Sequence, residues 1–174
     1  MTIRSWLIKL RKDRSYTQQQ IAQKAYIDRS YYAQIEKGER KPSEDVAKKI
    51  ARILEFHYSA FSMEENPFLI SLHNSPMILA HCDRSLKYTW IYNPHADFDA
   101  ESVIGKTDIE IDDNPGTRDM EKLKQEVLDT KMTIRRKILF PLSTGAINYD
   151  VFAQPLLDDN DQIIGVATSS TEME

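Results

Sequence analysis

Thr17-Gln-Gln-Gln-Ile-Ala-Gln-Lys-Ala-Tyr-Ile-Asp28-Arg-Ser-Tyr-Tyr-Ala-Gln-Ile-Glu-Lys-Gly38-Glu-Arg-Lys-Pro42-Ser43 decides how the N-terminal part of the chain reads. Thr17 stands as a helix N-cap, and Gln20 three residues on completes a capping box. Ile21, Ala22 and Ala25 follow as an apolar stripe. Asp28 is a second N-cap candidate, ahead of Arg29 to Lys37 with Ile35 on the buried side. Gly38 supplies the left-handed position past the helix end. Pro42 cannot extend a helix, and Ser43 can cap the next one. Two short helices joined by a tight connection form a helix-turn-helix. Its second helix is polar, carries an arginine, and is placed to enter a DNA major groove. Outward from this stretch, Ile3, Trp6, Leu7 and Leu10 mark one face of a preceding helix. Val46, Ala47, Ile50, Ile53 and Leu54 recur at helical spacing in a fourth helix. A short turn at Tyr58 to Met63 closes a five-helix bundle.

Residues 3 to about 62 resemble the XRE, or Cro/cI-like, DNA-binding domain. The likeness rests on Thr17-Gln18-Gln19, Ile21-Ala22, Ile35-Glu36-Lys37-Gly38, Arg40-Lys41-Pro42-Ser43 and the apolar fourth helix. The family usually has glycine in the turn between helices two and three; here that position is Tyr26. Either the turn geometry differs or it tolerates strain, because positive φ is uncommon for other residues. The resemblance implies contacts to DNA from Gln18, Gln19, Arg29, Ser30, Tyr31, Gln34, Lys37, Arg40 and Lys41. Arg29, Ser30, Tyr31 and Gln34 form the recognition set, while Lys37, Arg40 and Lys41 touch backbone. Arginine can grip guanine with two hydrogen bonds, and glutamine can grip adenine. Glu36 is expected to accept bonds within the bundle.

Charge divides the chain in the same place. Residues 1–58 hold 13 Lys and Arg against 7 Asp and Glu, a net of +6. Residues 59–174 hold 10 against 20, a net of −10, and together these give −4. A basic head attracts phosphates through a long-range field that salt weakens. A run of Lys and Arg can also simply solvate helix faces. The apolar fraction, 41%, suffices for two modest cores. No apolar run approaches the roughly 18 residues of a membrane span, and no signal segment leads the chain. The single cysteine, Cys82, precludes an internal disulfide. A cytoplasmic location is expected. The division expected is residues 1–62, a linker at 63–67, and residues 68–174.

The second part changes rhythm. Pro76 to Cys82 and Leu86 to Tyr92 are apolar and β-branched runs about the turn Asp83-Arg-Ser, a predicted hairpin. Short helices and loops follow from Asp97 to Asp113, with a break at Gly105. Arg118 to Thr130 reads as one helix. Met132 to Pro141, Ala146 to Pro155 and Ile163 to Ser170 read as strands, the last two separated by an Asp-Asn turn. This order predicts a five-stranded antiparallel sheet with helices on one face. The fold class is α+β: an all-α head and a sheet-based body.

Residues 68–172 resemble a PAS domain. The likeness is carried by Leu86-Lys-Tyr-Thr-Trp-Ile-Tyr-Asn-Pro94, Val103-Ile-Gly-Lys-Thr107, Tyr149-Asp, Gln154-Pro-Leu156, Ile163-Ile-Gly-Val166 and Ser169-Ser-Thr-Glu172. Such domains are sensory or dimerisation modules, and many enclose a small ligand. Most sit in sensor kinases; here the PAS-like part is expected to be wired to the DNA-binding head instead. The cysteine motif of flavin relatives is not found, and residues 118–130 contain no histidine of the haem-binding kind. His81 and His95 are the histidines nearest the predicted pocket, and no cofactor is assigned. Strand alternation puts Tyr88, Trp90 and Tyr92 on one face of their strand. With Phe98, Ile104, Ile134, Arg136, Phe152 and Thr168 they form the candidate pocket surface. An ordinary core would use the same residues. Arg136, if inside, suggests an anionic ligand.

The expected function is a homodimeric, sequence-specific DNA-binding regulator whose affinity responds to a ligand in the PAS-like part. Repression by occlusion is the default. Two alternatives stay open: a PAS-like part that is only a dimerisation or docking surface, and an enzyme. No nucleophile with a base partner, phosphate loop or metal cluster supports the enzyme.

Overall fold

The computed structural model describes residues 3–63 and 66–173, and these form two compact units divided between Asn66 and Pro67. In the first unit, helices α1 (Ser5–Asp13), α2 (Gln18–Ala25), α3 (Arg29–Glu36), α4 (Glu44–Leu54) and α5 (Ala60–Met63) make the five-helix bundle. The local signals act as their chemistry dictates. Thr17 Oγ1 accepts from the Gln20 amide while the Gln20 side chain accepts from the Thr17 amide, and Ser43 caps α4. Gly38 has φ 74°. Asp28 occupies the N-cap position of α3, yet its side chain makes no capping bond.

The bundle core is Leu7, Leu10, Ile21, Ala22, Ala25, Tyr32, Ile35, Ala47, Ile50, Ala51 and Leu54. Two assignments change. Ile3 lies ahead of α1 and is 61% exposed, while Arg4 is buried in its stead. On α4, Ala51 is buried while Val46 and Ile53 are only half-buried. Trp6, Phe56 and Phe61 form an aromatic cluster with centroids 5.3–5.6 Å apart.

The second unit opens with α6 (Pro67–Leu72), a helix that the sequence reading left unassigned. Strands β1 (Met77–Asp83), β2 (Tyr88–Tyr92), β3 (Ile134–Leu142), β4 (Gly145–Leu157) and β5 (Ile163–Glu172) pair antiparallel in the order β2-β1-β5-β4-β3. The link from β2 to β3 carries α7 (Ala100–Val103), α8 (Asp108–Ile111) and α9 (Pro115–Thr130). Helix α9 starts three residues before the predicted Arg118. Asn114 and Thr117 form its capping box around Pro115, so Pro115 and Gly116 open the helix rather than break it. Met120, Leu123 and Val127 of α9 pack on Ile138, Tyr149, Val151, Ala153, Val166 and Cys82.

One irregularity governs the pocket. Cys82 pairs with Tyr88 but His81 pairs with Trp90, so Thr89 is an extra residue in β2. This β-bulge reverses the alternation of side chains between Tyr88 and Trp90. At the far end of β1, a Cβ on Gly165 would lie 1.8 Å from the Cys82 carbonyl oxygen, so only glycine allows β5 this close to β1.

Candidate functional site

The α2–α3 corner is held by one buried carboxylate. Glu36, at the end of α3, accepts from Arg11 Nε at 2.6 Å, Arg11 Nη2 at 3.1 Å and Gln18 Nε2 at 2.8 Å. This hydrogen bonding holds the Arg11 guanidinium above its ordinary pKa. Burial, reinforced by Glu36, pushes the neighbouring Tyr32 phenol well above the tyrosine range. Gln18, half-buried, therefore spends its amide nitrogen inside the protein, while Gln19 is exposed beside it.

Arg29 and Ser30 stand exposed on the first turn of α3. Tyr31 is half-buried beneath the Arg40 guanidinium, 5.6 Å from the ring centroid, and Gln34 is half-buried. The loop after α3 folds back, since the Glu39 and Arg40 amides donate to the Gln34 carbonyl. Lys37, Arg40 and Lys41 are exposed along that loop, with Lys37 Nζ 3.9 Å from Glu39.

Sequence reasoning missed the clamp on this loop. The Arg4 guanidinium donates to the carbonyls of Ile35 and Arg40, and the Arg4 amide donates to the Glu36 carbonyl. No periodic signal marks Arg4, because it precedes α1 and its partners are backbone carbonyls more than 30 residues away.

Tyr26 settles the turn: φ 58° and ψ 46°, left-handed, with the side chain 87% exposed. A Cβ in this region costs about 1–2 kcal/mol. Glycine would remove that cost but gain chain entropy when unfolded. It would also forfeit the contact of Lys49, 5.8 Å from the Tyr26 ring. Tyr26→Gly is expected to stabilise the head by roughly 0.5–1 kcal/mol, read from amide exchange of α2 and α3.

In the second unit a cavity of about 80 Å³ lies between the sheet and α7–α9. Ile78, Ala80, Ile91, Phe98, Val103, Ile111, Met120, Phe140 and Leu142 give it apolar walls. Tyr88, His95, Asp108, Thr117, Tyr149, Thr168 and Ser170 add polar groups. Of the predicted pocket residues, Tyr88, Phe98 and Thr168 line it.

The others do not, for stated reasons. The bulge at Thr89 turns Trp90 and Tyr92 to the opposite face, where their rings stack and His81 packs on Trp90. The same bulge brings Ile91 inward. Phe152 follows the alternation of β4 to the outer face and is 41% exposed. Ile134 packs at the edge of the core, and Ile104 is buried outside the cavity lining. Arg136 pairs with Glu126 of α9 at 2.6 Å, so it supplies no charge to the cavity.

Behind the wall sits a buried triad that sequence reasoning missed. Asp108 accepts from the Tyr88 hydroxyl and from Lys124 Nζ, each at 2.6 Å, and Lys124 Nζ lies 3.9 Å from the Tyr88 ring centroid. Burial opposes charge on Lys124, but Asp108 and Tyr88 prevail and hold its ammonium above the usual lysine range. At the mouth, Asp97 accepts from the Ser143 amide at 2.7 Å and from its hydroxyl. That clasp ties the segment carrying Pro94, His95 and Phe98 to the β3–β4 turn.

The helix-turn-helix family HTH_3 matches residues 7–61. The uncharacterized HTH-type transcriptional regulator YqaF of Bacillus subtilis is 46% identical over 59 residues, 34% of this chain and 78% of YqaF. Histidine kinase 5 of Arabidopsis thaliana is 30% identical over 96 residues, 55% of this chain and 10% of the kinase. Against the crystal structure of a Vibrio cholerae VqmA–ligand–DNA complex the TM-score is 0.52 at 18% identity, covering 62% of this chain and 50% of that one, a likeness of fold. The chain thus spans about a tenth of the kinase and half of the VqmA chain. Head, sheet order and relatives agree: the chain belongs to the XRE-type helix-turn-helix transcriptional regulators, with a PAS-like domain following its DNA-binding domain.

Proposed function

We propose that this protein is a dimeric, sequence-specific regulator whose DNA affinity is set by a small molecule in the PAS-like cavity. Residues 1–62 act as the DNA-reading head and 68–174 as the sensory and pairing module, joined by 63–67. The observation that carries this reading is an internal cavity on the same chain as an exposed, clamped recognition helix. VqmA, of like fold, is described as a dimer and in complex with both ligand and DNA. One head grips few bases; two heads on a two-fold axis read half-sites about one helical turn apart. A ligand that favours one arrangement of the pair shifts DNA affinity by its differential binding to the two states. Occlusion of a promoter, hence repression, is the simplest outcome.

Native mass spectrometry of the full chain tests this reading. A dimer carrying an added mass that denaturation removes supports it, and a monomer sinks the paired-head mechanism. The pairing-only alternative draws on Phe68 and Ile70 of α6, 77% and 76% exposed. A clean dimer whose operator affinity ignores every small molecule tried would favour that alternative.

The base-reading role is separately testable. Arg29→Ala is expected to cost roughly 1–3 kcal/mol at one base position and to relax preference there, leaving stability unchanged. Lys41→Ala should weaken all sequences alike and lower the salt slope by about 1. Equal losses on every sequence for Arg29→Ala would remove it from base reading.

A further inference from the structure

Two hydroxyls in the cavity have no partner of their own. Thr168 and Ser170 are successive inward residues of β5 and are 8% and 6% exposed. Across the sheet they face Ala80 and Ile78 on one side and Ala153 and Val151 on the other, all apolar. Neither side chain makes a protein hydrogen bond among the described residues, and the same holds for the nearby Tyr149 hydroxyl. A hydroxyl can donate once and accept twice. Both residues line the cavity, so this pair is a place for a ligand's polar edge.

Apart from the Tyr149 hydroxyl, the other polar side chains of the lining have partners among the described residues. Among the described residues Asp108 is the only carboxylate in the lining, and its two oxygens are engaged by Tyr88 and Lys124. The Thr117 hydroxyl donates to the Asp112 carbonyl and accepts from the Asn114 amide. His95 Nδ1 accepts from the Asp97 amide. No unneutralised charge on the lining meets an ion, and stripping an ion of water without a counter-charge is costly.

Resting on the ligand-binding reading above, we infer that the cavity selects an uncharged small molecule with an apolar body and one hydrogen-bonding edge set against Thr168 and Ser170. The apolar body lies among Ile78, Ile91, Met120 and Phe140. Metal ions, phosphates and carboxylates are refused.

Cyclopentanol, cyclopentane and cyclopentylammonium test this, because they share a ring and differ in a hydroxyl and a charge. Each is titrated into full-length protein carrying a labelled Met120 methyl and read by NMR. Cyclopentanol should give saturable shifts at roughly 3–10-fold lower concentration than cyclopentane, the worth of one neutral hydrogen bond. Cyclopentylammonium should give none. Thr168→Val with Ser170→Ala should abolish the preference for the alcohol while cyclopentane still binds. Should that variant fail to fold, the three probes on the unaltered protein decide the matter alone. Equal binding of the ammonium, an alcohol preference that survives the double variant, or no saturable shift with any probe would each overturn the inference. Operator affinity is measured separately: selective binding of the alcohol without any change in DNA affinity would sink ligand control and leave the cavity chemistry standing.

Discussion

Glu36→Ala is expected to destabilise the DNA-binding head by roughly 3 kcal/mol and to abolish operator binding. The carboxylate is 2% exposed and receives three hydrogen bonds, two from Arg11 and one from Gln18. Removing it leaves a guanidinium whose side chain is only 12% exposed without its counter-charge. Breaking one partner of a buried pair costs about 3–5 kcal/mol, and the solvent that reaches Arg11 places this case at the lower end. A domain of this size has on the order of 5 kcal/mol to lose, so most of the head would be loosened. The measurement is amide exchange in α2 and α3 of the full chain, because two units on one chain need not unfold in a single step. Arg11→Met with Glu36→Leu should recover much of the loss, as apolar replacement of a whole buried pair is often neutral. The contrast with Arg29→Ala matters for function. Glu36→Ala should remove stability and DNA binding together, whereas Arg29→Ala should remove sequence preference alone. A loss below roughly 0.5 kcal/mol for Glu36→Ala would mean that water already solvates the Arg11 pair, as in exposed ion pairs.

What was legible in the sequence was local. The capping box at Thr17 and Gln20, the Gly38 stop, the Ser43 cap and the Asp83 and Asp158 turns each depend on residues within four positions, and each forms. Alternation along β4 and β5 carried the sheet. What failed was nonlocal or out of phase. Alternation through β2 breaks at Thr89, so extending the face of Tyr88 to Trp90 and Tyr92 put both rings on the wrong side. No composition signal marks such a bulge. The sequence leaves Arg136 open between the pocket and the solvent face, because its partner, Glu126, lies on another element. Nothing local in the sequence marks Lys124 as buried, since Asp108 meets it only when α8 packs on α9. The Arg4 clamp joins residues separated by 31 and 36 positions. Each omission concerns a charged side chain whose role is fixed by where the fold brings its partner.

Lys124 shows what such a residue governs. Lys124→Met is expected to cost roughly 3–5 kcal/mol, because it leaves the buried Asp108 carboxylate with only the Tyr88 hydroxyl. Asp108→Asn strands the ammonium and should cost a similar amount. Lys124→Met with Asp108→Asn should restore most of the loss, since the pair then leaves no uncompensated charge. Urea unfolding followed through Trp90, in a Trp6→Phe background, isolates this unit. Single losses under about 1 kcal/mol would mean that water reaches the triad.

The same groups set an alkaline limit. Burial raises the Cys82 thiol to about 11, so between pH 9 and 11 the unfolded chain sheds this proton while the native chain keeps it. Burial and the Asp108 charge likewise hold the Tyr88 phenol neutral above the pH at which a free tyrosine ionises. The Lys124 ammonium, raised by Asp108, keeps its proton beyond the usual lysine value of about 10.4. In each case the native state binds more protons than the unfolded state, so stability is complete below these unfolded values and falls as pH rises. Each group contributes a slope of up to about 1.4 kcal/mol per pH unit. The loss should begin near pH 9 with Cys82 and steepen above pH 10 as Tyr88 and Lys124 join. Cys82→Ala should delay its onset, and Lys124→Met with Asp108→Asn should flatten its upper part. Because native Tyr88 and Lys124 keep their protons throughout this range, affinity for a ligand held in the cavity should hold until the unit itself unfolds.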